Sequence, residues 1–235
     1  MILEDKEIFG CRFRVVVPAS IGFPRHTTAE FDDHEPVMER WVRGIKPGDL
    51  IIDGGAAFGN YTLTALARGA TVIAYEPYRE HAACLRANVA ANGWEARCVI
   101  REVGLWNGTP YPEGILRQMQ MPLDMPTVRL DDDLGSEGMM LANAPRGGAA
   151  HIKLDIEGTE LGALQGGLAF LKARRPRLII EDHESVSSDP NCEISRYPER
   201  IQSRKGMRAI MEPLGYVIED VPFDVSRRFL CATQP

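Results

Sequence analysis

The chain has no C-x-x-C pair, although it carries five cysteines, Cys11, Cys84, Cys98, Cys192 and Cys231. An odd count without paired spacing excludes a disulfide framework and the common zinc sites. A reducing compartment, the cytoplasm, is the setting expected for such thiols. No apolar run approaches the ~20 residues that a membrane-spanning helix needs. Met1-Ile2-Leu3-Glu4-Asp5-Lys6 has no long apolar core after a basic start, so no secretory signal is expected. Positive charge is in deficit, with 27 Lys and Arg against 33 Asp and Glu and a net charge of −6. That disfavours a nonspecific grip on a phosphate backbone, which needs a basic face, so no nucleic-acid partner is expected. The one basic cluster, Arg196 to Arg208, reads as the solvated face of a helix. Repeats and low-complexity tracts are absent as well.

What is present is the balance of a globular protein. The 235 residues suit one large domain, and a chain of that size can bury a full core without disulfide or metal staples. Beyond about residue 48, apolar strands alternate with amphipathic helices, which implies a mainly parallel sheet covered on both faces. Strands are expected over 50–53, 71–75, 97–101, 151–154 and 178–181, and helices over 61–68, 79–92 and 158–172. An irregular run over 185–195 precedes a helix over 199–212. Two last strands, 216–221 and 228–232, are joined by Pro222-Phe223-Asp224, a link short enough for a hairpin and hence an antiparallel edge. Residues 1–48 read as an N-terminal extension or cap, with a strand over 12–17 and a helix over 35–44. Residues 105–128, with Pro110, Pro112, Pro122, Pro126 and three methionines, read as part of a substrate wall.

The chemistry concentrates at strand ends. Ile51-Ile52-Asp53-Gly54-Gly55-Ala56-Ala57-Phe58-Gly59-Asn60-Tyr61 is a strand ending in an acid, then a tight small-residue turn, then a helix. Ala74-Tyr75-Glu76-Pro77 is a second strand that also ends in an acid. A carboxylate there can accept hydrogen bonds from both ribose hydroxyls. A dinucleotide fingerprint would read G-x-G-x-x-G, but here Ala56 stands in the middle-glycine position. Asp53, just before the turn, would repel a pyrophosphate and suit a cationic ammonium or sulfonium. The pattern therefore points to S-adenosylmethionine (SAM), with a nicotinamide-dependent oxidoreductase or a non-catalytic SAM-binding protein as alternatives. The strand-end group Asp155, Glu181 and His183 favours an enzyme over the latter.

Ligands in open α/β sheets bind beyond the carboxyl ends of the strands. Asp53, Asp155 and Glu181 form a row there that needs a cation to hold it together. Lys153, inside a central strand, needs a carboxylate partner, expected to be Asp131, Asp155 or Glu181. His183 or Asp155 is the expected general base. Mg²⁺ on Asp155, Glu181 and Asp182 is a second way to neutralise the row, although a metal-free site is favoured. His26, His34, His81 and His151 are expected to be structural or exposed.

Three blocks resemble the FkbM-type SAM-dependent methyltransferases. They are Lys46-Pro47-Gly48-Asp49 running into the Asp53 turn, then Ala74-Tyr75-Glu76-Pro77 with Asn88 and Asn92-Gly93 downstream, and third Val128-Arg129-Leu130-Asp131-Asp132-Asp133-Leu134 with Ile152-Lys153-Leu154-Asp155-Ile156-Glu157-Gly158-Thr159-Glu160. The resemblance implies an α/β, Rossmann-like, seven-stranded SAM-methyltransferase sheet over 49–235, mostly parallel, with an antiparallel C-terminal hairpin and helices on both faces. It implies methyl transfer from SAM to a hydroxyl of a small molecule, sugar or natural product. The expected cofactor wall is Asp53, Gly55, Ala56, Phe58, Gly59, Asn60, Tyr61, Glu76, Pro77, Tyr78 and Asp155. Asp155, Glu181 and His183 are the expected catalytic group. A small-molecule or glycan acceptor is the expected partner, and a homo-oligomer is compatible with the sequence.

Overall fold

The computed structural model describes residues 2–17, 36–111, 113–118, 121–136, 148–182, 203–222 and 228–234. The chain opens with a hairpin of β1 (Ile2–Ile8) and β2 (Cys11–Val17). Phe9 and Gly10 link them with φ of 49° and 74°. Two left-handed residues match the twist of the flanking strands. Only β2 is foreshadowed by its apolar run; β1 is rich in charge, and its pairing follows from the turn.

The elements that follow are α1 (Pro36–Arg43), β3 (Leu50–Gly54), α2 (Asn60–Ala67), β4 (Thr71–Tyr75), α3 (Arg79–Ala91) and β5 (Cys98–Arg101). Next come β6 (Gly104–Leu105), α4 (Glu113–Gln118), β7 (Thr127–Val128), α5 (Leu130–Ser136) and β8 (Ala150–Leu154). The chain continues through α6 (Glu160–Gly166), α7 (Leu168–Arg174), β9 (Arg177–Asp182), α8 (Ser203–Met211), β10 (Val217–Pro222) and β11 (Arg228–Thr233). Seven strands form the main sheet in the order β10-β11-β9-β8-β3-β4-β5. Neighbours from β9 to β5 are parallel, and β11 is antiparallel to both β9 and β10.

Side chains alternate across a strand, and two cores result. Ile51, Val72, Ala74 and Ile179 meet α1, α2, α3 and the N-terminal hairpin on one face. Leu50, Ile52, Ile73 and Tyr75 meet α5, α6, α7 and α8 on the other. Asn88 on α3 and Asn92, which follows its last residue, tie the hairpin down. Asn88 Oδ1 accepts from Val16 N–H at 2.7 Å, and Asn92 Oδ1 accepts from Arg14 N–H at 2.8 Å. These bonds satisfy strand N–H groups that would otherwise lack partners.

The single helix expected over 158–172 is two helices, broken at Gly167. Asp131, from α5, accepts the Ala169 and Phe170 N–H groups at 2.9 and 2.8 Å. It serves as the cap for α7, supplied from a distant part of the chain. The segment 105–128, expected to be irregular, contains α4 and the short β6–β7 pair. Among the described residues, no helix is long and apolar enough to cross a membrane.

Candidate active site

The chain runs outward from β3 to β5 and returns to place β8 on the other side of β3. Such a reversal opens a crevice at the carboxyl ends of the two central strands. A cavity of about 310 Å³ lies there, within the range of small-molecule sites. The ends of β3, β4 and β8 form one wall, and Leu105, Tyr111, Leu116, Met121 and Met125 form another.

The turn after β3 is held by backbone. Gly55 and Ala56 both donate to the Tyr75 carbonyl, at 3.0 and 3.2 Å. Gly55 has φ 72°, and a Cβ there would run into the Asp155 carbonyl oxygen. Gly59, at φ 99°, leaves room for Leu85 of α3. Gly55→Ala is therefore expected to cost at least about 1–2 kcal/mol for the left-handed backbone alone, with more from the collision. A thermal melt indistinguishable from wild type would refute this account of the turn.

Glu76 follows β4 and is 3% exposed. Its Oε2 accepts from Ala57 N–H and its Oε1 from Tyr78 N–H, both at 2.8 Å. His81 Nδ1 lies 3.7 Å from Oε1. The His81 ring packs between Phe58 and Tyr78, with centroids 4.5 and 5.0 Å away. Burial, then the negative charges of Glu76 and Glu157, push the Tyr78 hydroxyl pKa up.

Lys153 crosses beneath the turn. Its Nζ donates to the carbonyls of Gly54 and Gly55 at 3.2 and 2.8 Å. It lies 3.4 Å from Asp53 Oδ1 and 3.7 Å from Asp155 Oδ2, and 4.8 Å above the Tyr61 ring. Burial presses its pKa down, but the charges of Asp53, Asp155 and Glu181 outweigh that and raise it. The ammonium therefore stays charged through neutral pH. Its nearest carboxylate is Asp53, outside the expected set, because the β3–β8 register sets Asp53 beside Lys153. Asp131 is occupied in capping α7.

Of the expected cofactor residues, Gly55, Glu76, Pro77, Tyr78 and Asp155 line the cavity. Asp53 does not open onto it: it is fully buried, with Oδ2 accepting from the Thr62 hydroxyl at 2.6 Å. Ala56, Phe58, Gly59, Asn60 and Tyr61 stand behind the lining. Glu181 is 9% exposed at the end of β9 and does not line the cavity either. Asp182, the third acid of the alternative metal set, pairs with Arg204, Nε to Oδ2 at 2.7 Å. Among the described residues, no group of three or more His, Cys, Asp or Glu is placed to hold a metal ion. His183 lies outside the described residues.

Ala57, inside the turn expected to face the cofactor, lines the cavity; sequence reasoning missed His81 and Glu157, which line it as well. His81 had a signal, since it lies three residues beyond Tyr78 at the start of α3. Glu157 has φ 60°, and uncommon backbone at a non-glycine residue clusters at functional sites. His151, expected to be structural or exposed, is buried, and its Nε2 lies 3.0 Å from Asp49 Oδ2.

The family described as "Methyltransferase FkbM domain" matches residues 53–218. The methyltransferase FkbM of Methylobacillus flagellatus is similar in structure, with 20% identity, a TM-score of 0.53 and 80% of this chain covered. This chain spans 43% of that protein's length. A candidate O-methyltransferase from Klebsiella pneumoniae has 15% identity and a TM-score of 0.52, with 93% of this chain and 84% of its own covered. A candidate rRNA methylase from Clostridium thermocellum has 11% identity and a TM-score of 0.52, with 84% and 92% covered. At such identities the likeness shows a shared fold. The search of curated proteins found no match.

Proposed function

Because the chain belongs to the FkbM family of SAM-dependent methyltransferases, we propose that it transfers a methyl group from SAM to a hydroxyl oxygen of a small-molecule or glycan acceptor. The observation that carries the cofactor is Glu76. Both of its oxygens are fixed by backbone N–H groups at the edge of the cavity, and each keeps a lone pair for a ribose hydroxyl. Gly55, Pro77 and Tyr78 would complete the nucleoside wall. Asp53, Ala56, Phe58, Gly59, Asn60 and Tyr61 would act from behind, as positioning residues for the turn.

Bound SAM supplies a methyl carbon already activated by its sulfonium. Asp155, half-buried at the cavity, would accept a hydrogen bond from the acceptor hydroxyl. That carboxylate would take the hydroxyl proton as the methyl carbon exchanges its C–S bond for the new C–O bond, the sulfur leaving as a neutral thioether. Holding the acceptor in line can supply about 7–11 kcal/mol of the barrier in favourable cases. Lys153, with Glu181 contributing to its charge environment, would keep Asp155 in place. His183, which follows β9, is the second residue assigned to proton transfer. Leu105, Tyr111, Leu116, Met121 and Met125 would shape the acceptor end.

Glu76→Ala is expected to weaken SAM binding by about 1.5–3 kcal/mol, the scale of hydrogen bonds to a charged group. Isothermal titration of wild type and variant measures this. An unchanged dissociation constant would remove the ribose assignment and, with it, the main support for the cofactor.

A further inference from the structure

Two nitrogens stand around one oxygen of Glu76. Tyr78 N–H donates to Oε1 at 2.8 Å, and His81 Nδ1 lies 3.7 Å from the same atom. The second separation exceeds a direct hydrogen bond, whose N···O distance runs about 2.7–3.2 Å. It leaves room for a third oxygen within hydrogen-bond reach of both groups. The His81 side chain is 33% exposed and lines the cavity beside Glu76, so a ligand that fills the cavity can supply that oxygen. The ring is also fixed. It packs between Phe58 of the β3 turn and Tyr78, which precedes α3, with centroids 4.5 and 5.0 Å away. A ring held in this way has little freedom left to lose when a ligand binds.

Donor and acceptor capacity assigns the roles. A carboxylate only accepts, so a hydroxyl at Oε1 spends its single proton there. The same hydroxyl can then only accept from the imidazole, which must carry its proton on Nδ1. We propose that His81 is a second ribose-binding residue: the ribose hydroxyl on Glu76 Oε1 also accepts from His81 Nδ1–H. The inference rests on the reading of Glu76 as the ribose holder and adds a donor to it. It also makes the two hydroxyls unequal. The one at Oε2 shares its oxygen with Ala57 N–H, at 2.8 Å, and has no such second partner in His81.

Adenosine, 2′-deoxyadenosine and 3′-deoxyadenosine are the probes, titrated by NMR into ¹⁵N-labelled wild type and His81→Phe; no methyl acceptor is needed. Phenylalanine keeps a ring between Phe58 and Tyr78 and removes the donor. Adenosine affinity is expected to fall about 3–10-fold in the variant, the scale of one hydrogen bond between neutral groups. The deoxy compound that lacks the bridged hydroxyl is expected to bind both proteins alike, while the other loses affinity as adenosine does. His81→Ala carries the same contrast between the two deoxy compounds if His81→Phe does not fold. Equal losses for all three ligands would give His81 a packing role, and no loss for any would leave only water between it and Glu76. Either result overturns the inference while the reading of Glu76 stands. A wild type that fails to bind adenosine, or binds it no better than either deoxy compound, overturns both.

Discussion

Lys153→Met is expected to destabilise the fold by about 3–5 kcal/mol, the cost of removing one partner of a buried ion pair. Asp53 is fully buried, and Lys153 is the cation beside its Oδ1. Methionine fills the space without replacing the charge, so Asp53 is left ionised in an apolar setting. At roughly 2–4 °C per kcal/mol for a chain of this size, the melting temperature falls by roughly 6–20 °C. The pH dependence has a definite sign. In the wild type, Lys153 has a raised pKa in the folded state. Its contribution is fully present below the unfolded lysine value of about 10.4 and is lost as the pH rises through the folded one. Adding Asp53→Asn to Lys153→Met is expected to restore much of the stability, because the stranded charge is then gone. A single variant melting within ~2 °C of wild type would show that the pair is not what holds β3 to β8.

Asp155→Asn is expected to cut turnover by about 10²–10⁴-fold, the range for loss of a positioned base, with little change in SAM affinity. Asparagine keeps the size of the side chain but cannot take a proton, and Lys153 retains Asp53 as its partner. The measurement is single-turnover methyl transfer with a saturating acceptor, accompanied by SAM titration. A parallel loss of SAM binding would mean that Asp155 holds the cofactor rather than serving the acceptor. Near-normal turnover would move the base elsewhere, and His183→Ala is then the decisive variant.

The core strands and their helices were legible because their signals are local. Ile51-Ile52, Val72-Ile73 and Ile179-Ile180 are apolar runs of strand length, and glycines such as Gly69 and Gly93 stand where helices stop. The break within the expected helix over 158–172 was not legible, because the carboxylate that caps α7 is Asp131, nearly forty residues earlier. In the site, Glu76 was readable from its place after an apolar strand. His81 carried only its spacing three residues beyond Tyr78, and its packing between Phe58 and Tyr78 depends on how α3 sits over the β3 turn.

By itself the sequence determined the strand periods, the tight turn at Gly55 and the presence of acids at strand ends, all set by residues a few positions apart. The tertiary structure decided which acids face the cavity. Register placed Asp53 beside Lys153 and out of the lining, and the fold paired Asp182 with Arg204. The reason is physical: a buried charge takes whichever counter-charge the packing of distant segments brings within reach, and the order of residues along the chain does not encode that distance.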